Sequence, residues 1–132
     1  MVNYQLKYFA PAVLYVALII ALSSLNQRVV TNLSWGIQDF ILHSLEYHFY
    51  GVTLIWAFLR EKPRAELKIS YRLAVSVGAL SAIADEFYQS FIPSRYSTVE
   101  DVVADIFGVI LSLITFSLLM KIPALERFRQ NA

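Results

Sequence analysis

Ionisable and polar side chains interrupt three of the longest apolar stretches of this sequence. They are His43, Glu46, Asp85, Glu86, Gln89, Asp101 and Asp105. An imidazole and a carboxylate can serve as general base and general acid, and nitrogen and oxygen donors can ligate a divalent cation. A charge at the centre of a bilayer costs about 2.5–3.5 kcal/mol or more. These side chains are therefore expected to face one another or water, as candidates for one functional site.

The spacing of the polar residues predicts three helices with one polar stripe each. Residues three or four positions apart lie on the same helical face, because each residue turns the helix by about 100°. The three stripes are Asp39, His43, Glu46 and Tyr50; Gly78, Ser81, Asp85 and Gln89; and Asp101, Asp105, Gly108 and Ser112. Gly78-x-x-x-Ala82 and Gly108-x-x-x-Ser112 also predict close packing of helices.

The stripes are expected to meet at one depth. His43, Asp85 and Asp105 lie seven or eight residues from the expected ends of their helices. This is roughly 10–12 Å at a rise of 1.5 Å per residue. We therefore predict a site with one histidine and two carboxylates at a similar level, beside Glu46 and Gln89.

Some of these polar residues have structural explanations that compete with a functional one. Asp39 lies where a carboxylate favours the positive N-terminus of a helix. Ser97-x-x-Glu100 fits a capping box, and Asp101 also lies in a first helical turn. His48 lies off the stripe and is expected to be buried or interfacial. A static buried network that fixes helix register is the alternative for the whole set.

The composition and the lengths of the apolar stretches predict the fold class. The chain is 58% hydrophobic and 16% charged, whereas soluble domains are nearer 45–50% apolar and about 25% charged. Four apolar stretches approach the roughly 20 residues that cross a bilayer. We predict an all-α polytopic membrane protein with one domain, 1–132, and four transmembrane helices in a compact antiparallel bundle. The helices are expected at about 8–25, 36–59, 71–92 and 98–120.

The distribution of basic residues predicts the orientation of this bundle. With both termini inside, nine of the 11 Lys and Arg residues lie in the cytoplasm and two lie outside. The positive-inside rule therefore favours N-in and C-in. Alternatively, Lys7, the apolar stretch and Ala21-Leu22-Ser23 fit a cleaved signal peptide, which would leave the orientation of the other helices unchanged.

The charge balance and the cysteine content exclude several function classes. The net charge of +1 gives no indication of nucleic-acid binding. The chain has no cysteine, which excludes disulfides, thiolate metal ligands and thiol catalysis.

Two motifs resemble the signature of the VanZ-like membrane proteins. The motifs are Asp39-x-x-x-His43-x-x-Glu46-Tyr47 and Asp85-Glu86-x-x-Gln89-x-Phe91-x-Pro93-x-Arg95-x5-Asp101-x3-Asp105-x2-Gly108. The resemblance covers roughly residues 39–112, and the order and spacing agree throughout. The sequence departs from the family pattern at Phe40, where Lys is frequent, and at Ser94 and Ser112, where Gly is frequent.

The resemblance implies a four-helix, multi-pass protein of the bacterial cytoplasmic membrane. The family takes its name from a protein that raises resistance to the glycopeptide teicoplanin. This implies a role in the cell envelope rather than a particular reaction.

The first functional hypothesis is the binding or processing of an envelope molecule at the outer face. Its partners would be membrane lipids and a lipid-linked cell-wall precursor or a lipoglycopeptide, with no nucleic acid; a homo-oligomer stays open. Arg95 could pair with a phosphate or carboxylate. The binding residues would be His43, Glu46, Asp85, Glu86, Gln89, Arg95, Asp101 and Asp105.

The second hypothesis is a membrane enzyme, and the third is ion or proton transport. His43 could act as base with Asp85 or Glu86 as acid. A hard cation could instead bind the carboxylates, and adding His43 would admit Zn²⁺ or Mn²⁺. No metalloenzyme motif and no Ser or Thr paired with a base is visible, so neither a cofactor nor a reaction is assigned. Transport ranks last, because the cytoplasmic halves of the helices are nearly free of charge.

Overall fold

The computed structural model describes residues 6–25, 37–61, 67–93, 95 and 97–122, and these residues form helices and short non-helical segments next to the helix ends, with no strand among them. A 3-10 turn, Leu6–Phe9, leads into α1, Ala10–Ser23. The other helices are α2, Ile37–Glu61; α3, Leu67–Gln89; and α4, Val99–Leu119. For the described part of the chain, the predictions of an all-helical fold and of four α-helices are confirmed.

The helix bounds agree with the predicted ones to within two residues, except in α3. This helix begins four residues earlier than predicted, so Lys68 belongs to it rather than to the preceding connection, and it ends three residues earlier. Long basic side chains at a helix end can extend to the membrane interface while their stems cover apolar surface. The helix ends at Gln89, ahead of Pro93, because the residue before a proline disfavours helical geometry.

Several residues used to predict the connections and the orientation lie outside the described residues. They are Arg28, Lys62, Pro63, Arg64, Ser94, Arg127 and Arg129.

Contacts between helix ends show the relative directions of neighbouring helices. Phe9, at the start of α1, packs edge-on against Phe58 near the end of α2, with ring centroids 5.3 Å apart. The hydroxyls of Tyr71, early in α3, and Ser117, late in α4, are hydrogen-bonded at 2.7 Å. Both pairs are therefore antiparallel, and the ends of α1 and α3 lie with the starts of α2 and α4. We call this the polar end, and it contains the site described below.

Small residues hold α2 and α4 close together. The hydroxyl of Ser44 donates to the backbone carbonyl of Ala104 at 3.1 Å. A methyl group on Gly108 would overlap the backbone carbonyl of Ser44, and one on Gly51 would overlap the side chain of Ser112. The predicted close approach at Gly108-x-x-x-Ser112 is thus confirmed.

The outer surface of the bundle is apolar. Large side chains such as Leu14, Leu80, Phe87, Val99 and Val103 are more than half exposed, an arrangement that fits lipid better than water. In the described part of the chain, α3 and α4 are long and apolar enough to cross a membrane, and Lys7–Ser23 is a shorter apolar segment. The polar residues of the 25-residue α2 lower its hydropathy. Four crossings and the N-in/C-in orientation remain predictions.

Candidate functional site

His43 lies at the polar end between two carboxyl groups of α4. Its Nδ1 is 3.0 Å from Oδ1 of Asp105, and both side chains are buried. When Asp105 is ionised, its carboxylate can only accept, and this bond then requires a proton on Nδ1. Nε2 then faces Oδ1 of Asp101, which is 4.0 Å away. The stripe of α4 therefore directs both carboxylates toward one imidazole.

The α3 residue that joins this group is Glu86. A ring nitrogen of His43 and carboxylate oxygens of Glu86 and Asp105 lie within 4.8 Å of one another. The predicted stripe placed Asp85 in this position instead. Gly78, Ala82 and Glu86 are spaced four residues apart and form one buried face of α3. This face packs against α4, where Gly78 lies next to Val109. We call His43, Glu86, Asp101 and Asp105 the histidine cluster.

Asp85 points toward α1 and belongs to a second group. Its Oδ2 accepts hydrogen bonds from the hydroxyl of Ser23 at 2.9 Å and from the amide of Gln89 at 2.8 Å. Oε1 of Gln89 accepts from Nε of Arg95 at 2.7 Å. We call Ser23, Asp85, Gln89 and Arg95 the serine cluster.

Arg95 connects the loop after α3 to the end of α1. Its Nη1 donates to the backbone carbonyls of Leu22 and Ser23, both at 3.2 Å. Carbonyls at a helix C-terminus carry partial negative charge, so the guanidinium is favourably placed beside them. The carbonyl of Leu22 also accepts from the backbone N–H of Leu25 at 3.1 Å. No described residue accepts a hydrogen bond from Nη2. Arg95 therefore ties the loop after α3 to the end of α1.

Glu46 lies between the two clusters. Its carboxyl interacts electrostatically with His43 and Asp105 of the histidine cluster and with Asp85 and Arg95 of the serine cluster. Its Oε1 is buried and has no hydrogen-bond partner among the described residues. Glu46 thus links the clusters through charge rather than through a direct hydrogen bond.

Several buried carboxyl oxygens at the polar end have no hydrogen-bond partner in the described structure. They belong to Glu46, Asp85, Glu86 and Asp105. A buried polar atom without a partner costs about 1–3 kcal/mol and calls for an explanation such as a proton, water or ion. With Asp101, five carboxyl groups surround one imidazole and one guanidinium. The arrangement is therefore suited to a cationic or hydrogen-bond-donating ligand.

Two cavities flank α1 and reach these clusters. A cavity of about 390 Å³ lies between α1 and α2. Its apolar wall comprises Leu22, Leu25, Leu42, Leu45 and Phe49, and its polar groups include Asp39, His43, Glu46 and Arg95. A cavity of about 400 Å³ lies between α1 and α3, where Tyr47, Ser81, Asp85 and Tyr88 join apolar residues. Each cavity therefore presents both apolar surface and polar groups.

The helix cap at the start of α4 differs from the predicted capping box. Thr98, not Ser97, is the N-cap residue: its hydroxyl accepts from the backbone N–H of Asp101 at 3.2 Å and donates to Oδ2 of Asp101 at 2.8 Å. The prediction was wrong by one position, because the helix begins at Val99. Glu100 is exposed, and the cap orients Asp101 beside His43.

Ser23 is a site residue that sequence reasoning missed. It was considered only as part of a candidate cleavage pattern, and no Ser was paired with a carboxylate. The sequence feature that could have indicated Ser23 is the rarity of polar side chains in the first apolar stretch. The predicted site residues Glu46, Asp85, Glu86 and Asp105 all lie at the polar end.

The comparison with protein families supports the resemblance. The model of a family described as VanZ/LLP1 matches residues 9–120, a span that contains both clusters and all of α2, α3 and α4. No curated protein and no solved structure matched significantly.

Proposed function

Because this chain belongs to the VanZ/LLP1 family, we propose that it binds a lipid-tailed or lipid-linked envelope molecule at the extracytoplasmic face of the bacterial cytoplasmic membrane. Family membership supports a membrane protein and, in general terms, a resistance-related role. The ligand class, the outward orientation of the polar end and the link to teicoplanin-type glycopeptides are the proposal.

The cavity between α1 and α2 carries this proposal. Ligand pockets of roughly 300–1,000 Å³ commonly combine apolar walls with a few polar groups that orient the ligand. Here Leu22, Leu42 and Phe49 offer the apolar surface, and Glu46 and Arg95 lie among the polar groups. An acyl or prenyl tail would occupy the wall while its head group meets the polar end.

The charges at the cavity indicate which head groups would fit. The Nη2 group of Arg95 can donate to a phosphate or carboxylate oxygen. Glu46 and Asp39 can accept from amide, amine or hydroxyl donors. A head group with one anionic group and several donors, such as a lipid-linked glycan or a glycopeptide, would complement both signs.

A susceptibility assay tests the proposal in cells. Expression in a glycopeptide-susceptible bacterium should raise the inhibitory concentration of an acylated glycopeptide but not of its deacylated counterpart. Glu46→Gln should reduce this protection, because it removes a charge from the cavity, whereas exposed Glu100→Gln should retain it. Equal protection against both compounds, or full protection by Glu46→Gln at equal membrane levels, would contradict the proposal.

A second candidate function, a small membrane enzyme, is favoured by the bond between His43 and Asp105. A carboxylate that holds Nδ1–H orients the imidazole and leaves Nε2 available as a base. Mass spectrometry of a lipid-linked probe after incubation would distinguish the two functions. A product that forms with wild type but not with His43→Gln would establish catalysis, and an unchanged probe would favour binding alone.

Ion or proton transport remains the third candidate. Among the described residues, the buried carboxyl groups and the buried imidazole of His43 all lie at the polar end. A conduction path would also need polar groups through the other half of the bundle. Proton or ion flux into vesicles above a protein-free control would be needed to support this function.

A further inference from the structure

Three helices contribute the donor atoms of a compact nitrogen and oxygen cluster. His43 comes from α2, Glu86 from α3 and Asp105 from α4, and one donor atom of each lies within 4.8 Å of the others. Zn²⁺ binds imidazole nitrogen and carboxylate oxygen at about 2.0–2.2 Å, which separates tetrahedral ligand atoms by roughly 3.4 Å. The distance of 3.0 Å between Nδ1 of His43 and Oδ1 of Asp105 is already that short, and a bound ion would replace the proton between them. A modest rotation of the Glu86 side chain would bring its carboxylate into range.

Unpaired buried oxygens provide a second observation that points to a ligand. Oε1 of Glu86 and Oδ2 of Asp105 have no hydrogen-bond partner among the described residues. The two residues are only 4% and 0% exposed, so bulk water does not solvate them. A bound cation would satisfy both oxygens and reduce the repulsion between the carboxylates.

Thr98 holds two carboxylates beside the proposed ligands. Its hydroxyl donates to Oδ2 of Asp101, whose Oδ1 lies 4.0 Å from Nε2 of His43, the ring nitrogen that faces away from Asp105. The backbone N–H of Thr98 donates to Oε2 of Glu86 at 3.2 Å. Thr98 therefore fixes two carboxylates from outside the cluster, as the second-shell groups of metal sites do.

We propose that His43, Glu86 and Asp105 bind a divalent transition-metal ion such as Zn²⁺ or Mn²⁺. One imidazole among carboxylates suits these ions, whereas Ca²⁺ takes six to eight oxygen ligands and Mg²⁺ retains several waters. The proposal does not depend on lipid binding, because all three donors belong to the chain.

Direct metal analysis tests the site without any lipid ligand. The protein would be purified in detergent with a histidine-free tag, depleted of metal, loaded with Zn²⁺ or with Mn²⁺, freed of unbound ion and analysed by mass spectrometry. The background should be low, because the chain has no cysteine and only two histidines. We expect about one ion per chain for at least one of the two metals.

Matched variants identify the ligands. Glu86→Gln and His43→Gln should weaken binding more than about tenfold, since even the loss of an outer-shell group costs 10–100-fold. Exposed Glu100→Gln and off-cluster His48→Gln should bind like wild type. Asp39→Asn is a separate test, because Asp39, His43 and Asp101 form a second candidate set. Loss of binding in Asp39→Asn with normal binding in Glu86→Gln would overturn the proposed ligand set.

Thermal unfolding of the wild-type protein tests the metal site even if a variant fails to fold. Binding to the folded state should raise the thermal midpoint as the metal concentration increases, and a chelator should reverse the rise. The absence of both a bound ion and a midpoint shift with Zn²⁺ or Mn²⁺ would overturn the metal site. Such a result would leave the lipid-binding proposal untouched, because its assays measure a different ligand.

Discussion

Adjacent residues at the polar end have different surroundings. Asp85 accepts hydrogen bonds from Ser23 and Gln89, whereas Glu86 lies beside His43 and Asp105. Consecutive residues in an α-helix point about 100° apart. One pair of carboxyl groups can therefore serve two clusters, one on each side of α3.

Substitution of Asp85 separates hydrogen bonding from charge. Asp85→Ala leaves the hydroxyl of Ser23 and the amide of Gln89 without this acceptor, which should lower the free energy of unfolding by about 1–3 kcal/mol. Asp85→Asn retains an acceptor oxygen and should melt near the wild-type midpoint. Thermal unfolding of the three proteins in one detergent measures the difference.

The two variants also test the alternative of a static network. If Asp85→Asn melts as low as Asp85→Ala, the charge of Asp85 itself stabilises the bundle. Asp85 would then have a structural role, as the static-network alternative expects. An unchanged midpoint in Asp85→Ala would show instead that its hydrogen bonds contribute little.

At the scale of elements, the interface between α2 and α4 positions the histidine cluster. His43 and Ser44 are adjacent on α2, and Asp105 and Ala104 are adjacent on α4, so the Ser44 hydrogen bond lies next to the contact between His43 and Asp105. Any separation of these helices should therefore also move the imidazole away from its carboxylate.

Gly108→Ala should be more damaging than Gly78→Ala. At Gly108 the new methyl group meets the backbone carbonyl of Ser44, whereas at Gly78 it meets the side chain of Val109 at 2.7 Å. Backbone cannot rotate away as a side chain can, and overpacking typically costs about 1–3 kcal/mol. We expect Gly108→Ala to have the lower thermal midpoint.

This comparison tests whether the close approach of α2 and α4 stabilises the fold. The two variants change the same residue type in the same way, so helix propensity cancels to first order. An equal or smaller loss in Gly108→Ala would show that the helices separate at little cost.

At the scale of the whole molecule, the polar groups concentrate at one end of an apolar bundle. The exposed surfaces of the helices carry large apolar side chains such as Leu14, Ile83 and Ile114, whereas the clusters join the ends of α1 and α3 to the starts of α2 and α4. In a membrane, this arrangement would place the site near one face and keep it accessible to head groups.

Cysteine labelling tests the predicted orientation, since the natural chain contains no cysteine. Ser97 and Lys121 flank α4 and are exposed. In intact cells, an impermeant maleimide should label Ser97→Cys, while Lys121→Cys should react only after permeabilisation. The reverse pattern would place the polar end in the cytoplasm, and labelling of both from outside would show that α4 does not cross the membrane.

The amino-acid sequence by itself determined the helical class, the approximate helix bounds and the polar stripe of α4. These features follow from hydropathy and from the 3.6-residue period, which depend on near neighbours along the chain. Asp101, Asp105, Gly108 and Ser112 are all buried as the period predicts. The signature motifs likewise indicated the family that the comparison then matched.

Only the tertiary structure decided which polar groups meet. Periodicity identifies a buried face, but it does not specify how far a helix rotates toward each neighbour. The packing of α1 therefore determines that Asp85 binds Ser23 and that Arg95 binds the end of α1, and the packing of α3 on α4 brings Glu86 to His43. These pairings join residues about 40–70 positions apart, and local sequence patterns do not encode such distances in space.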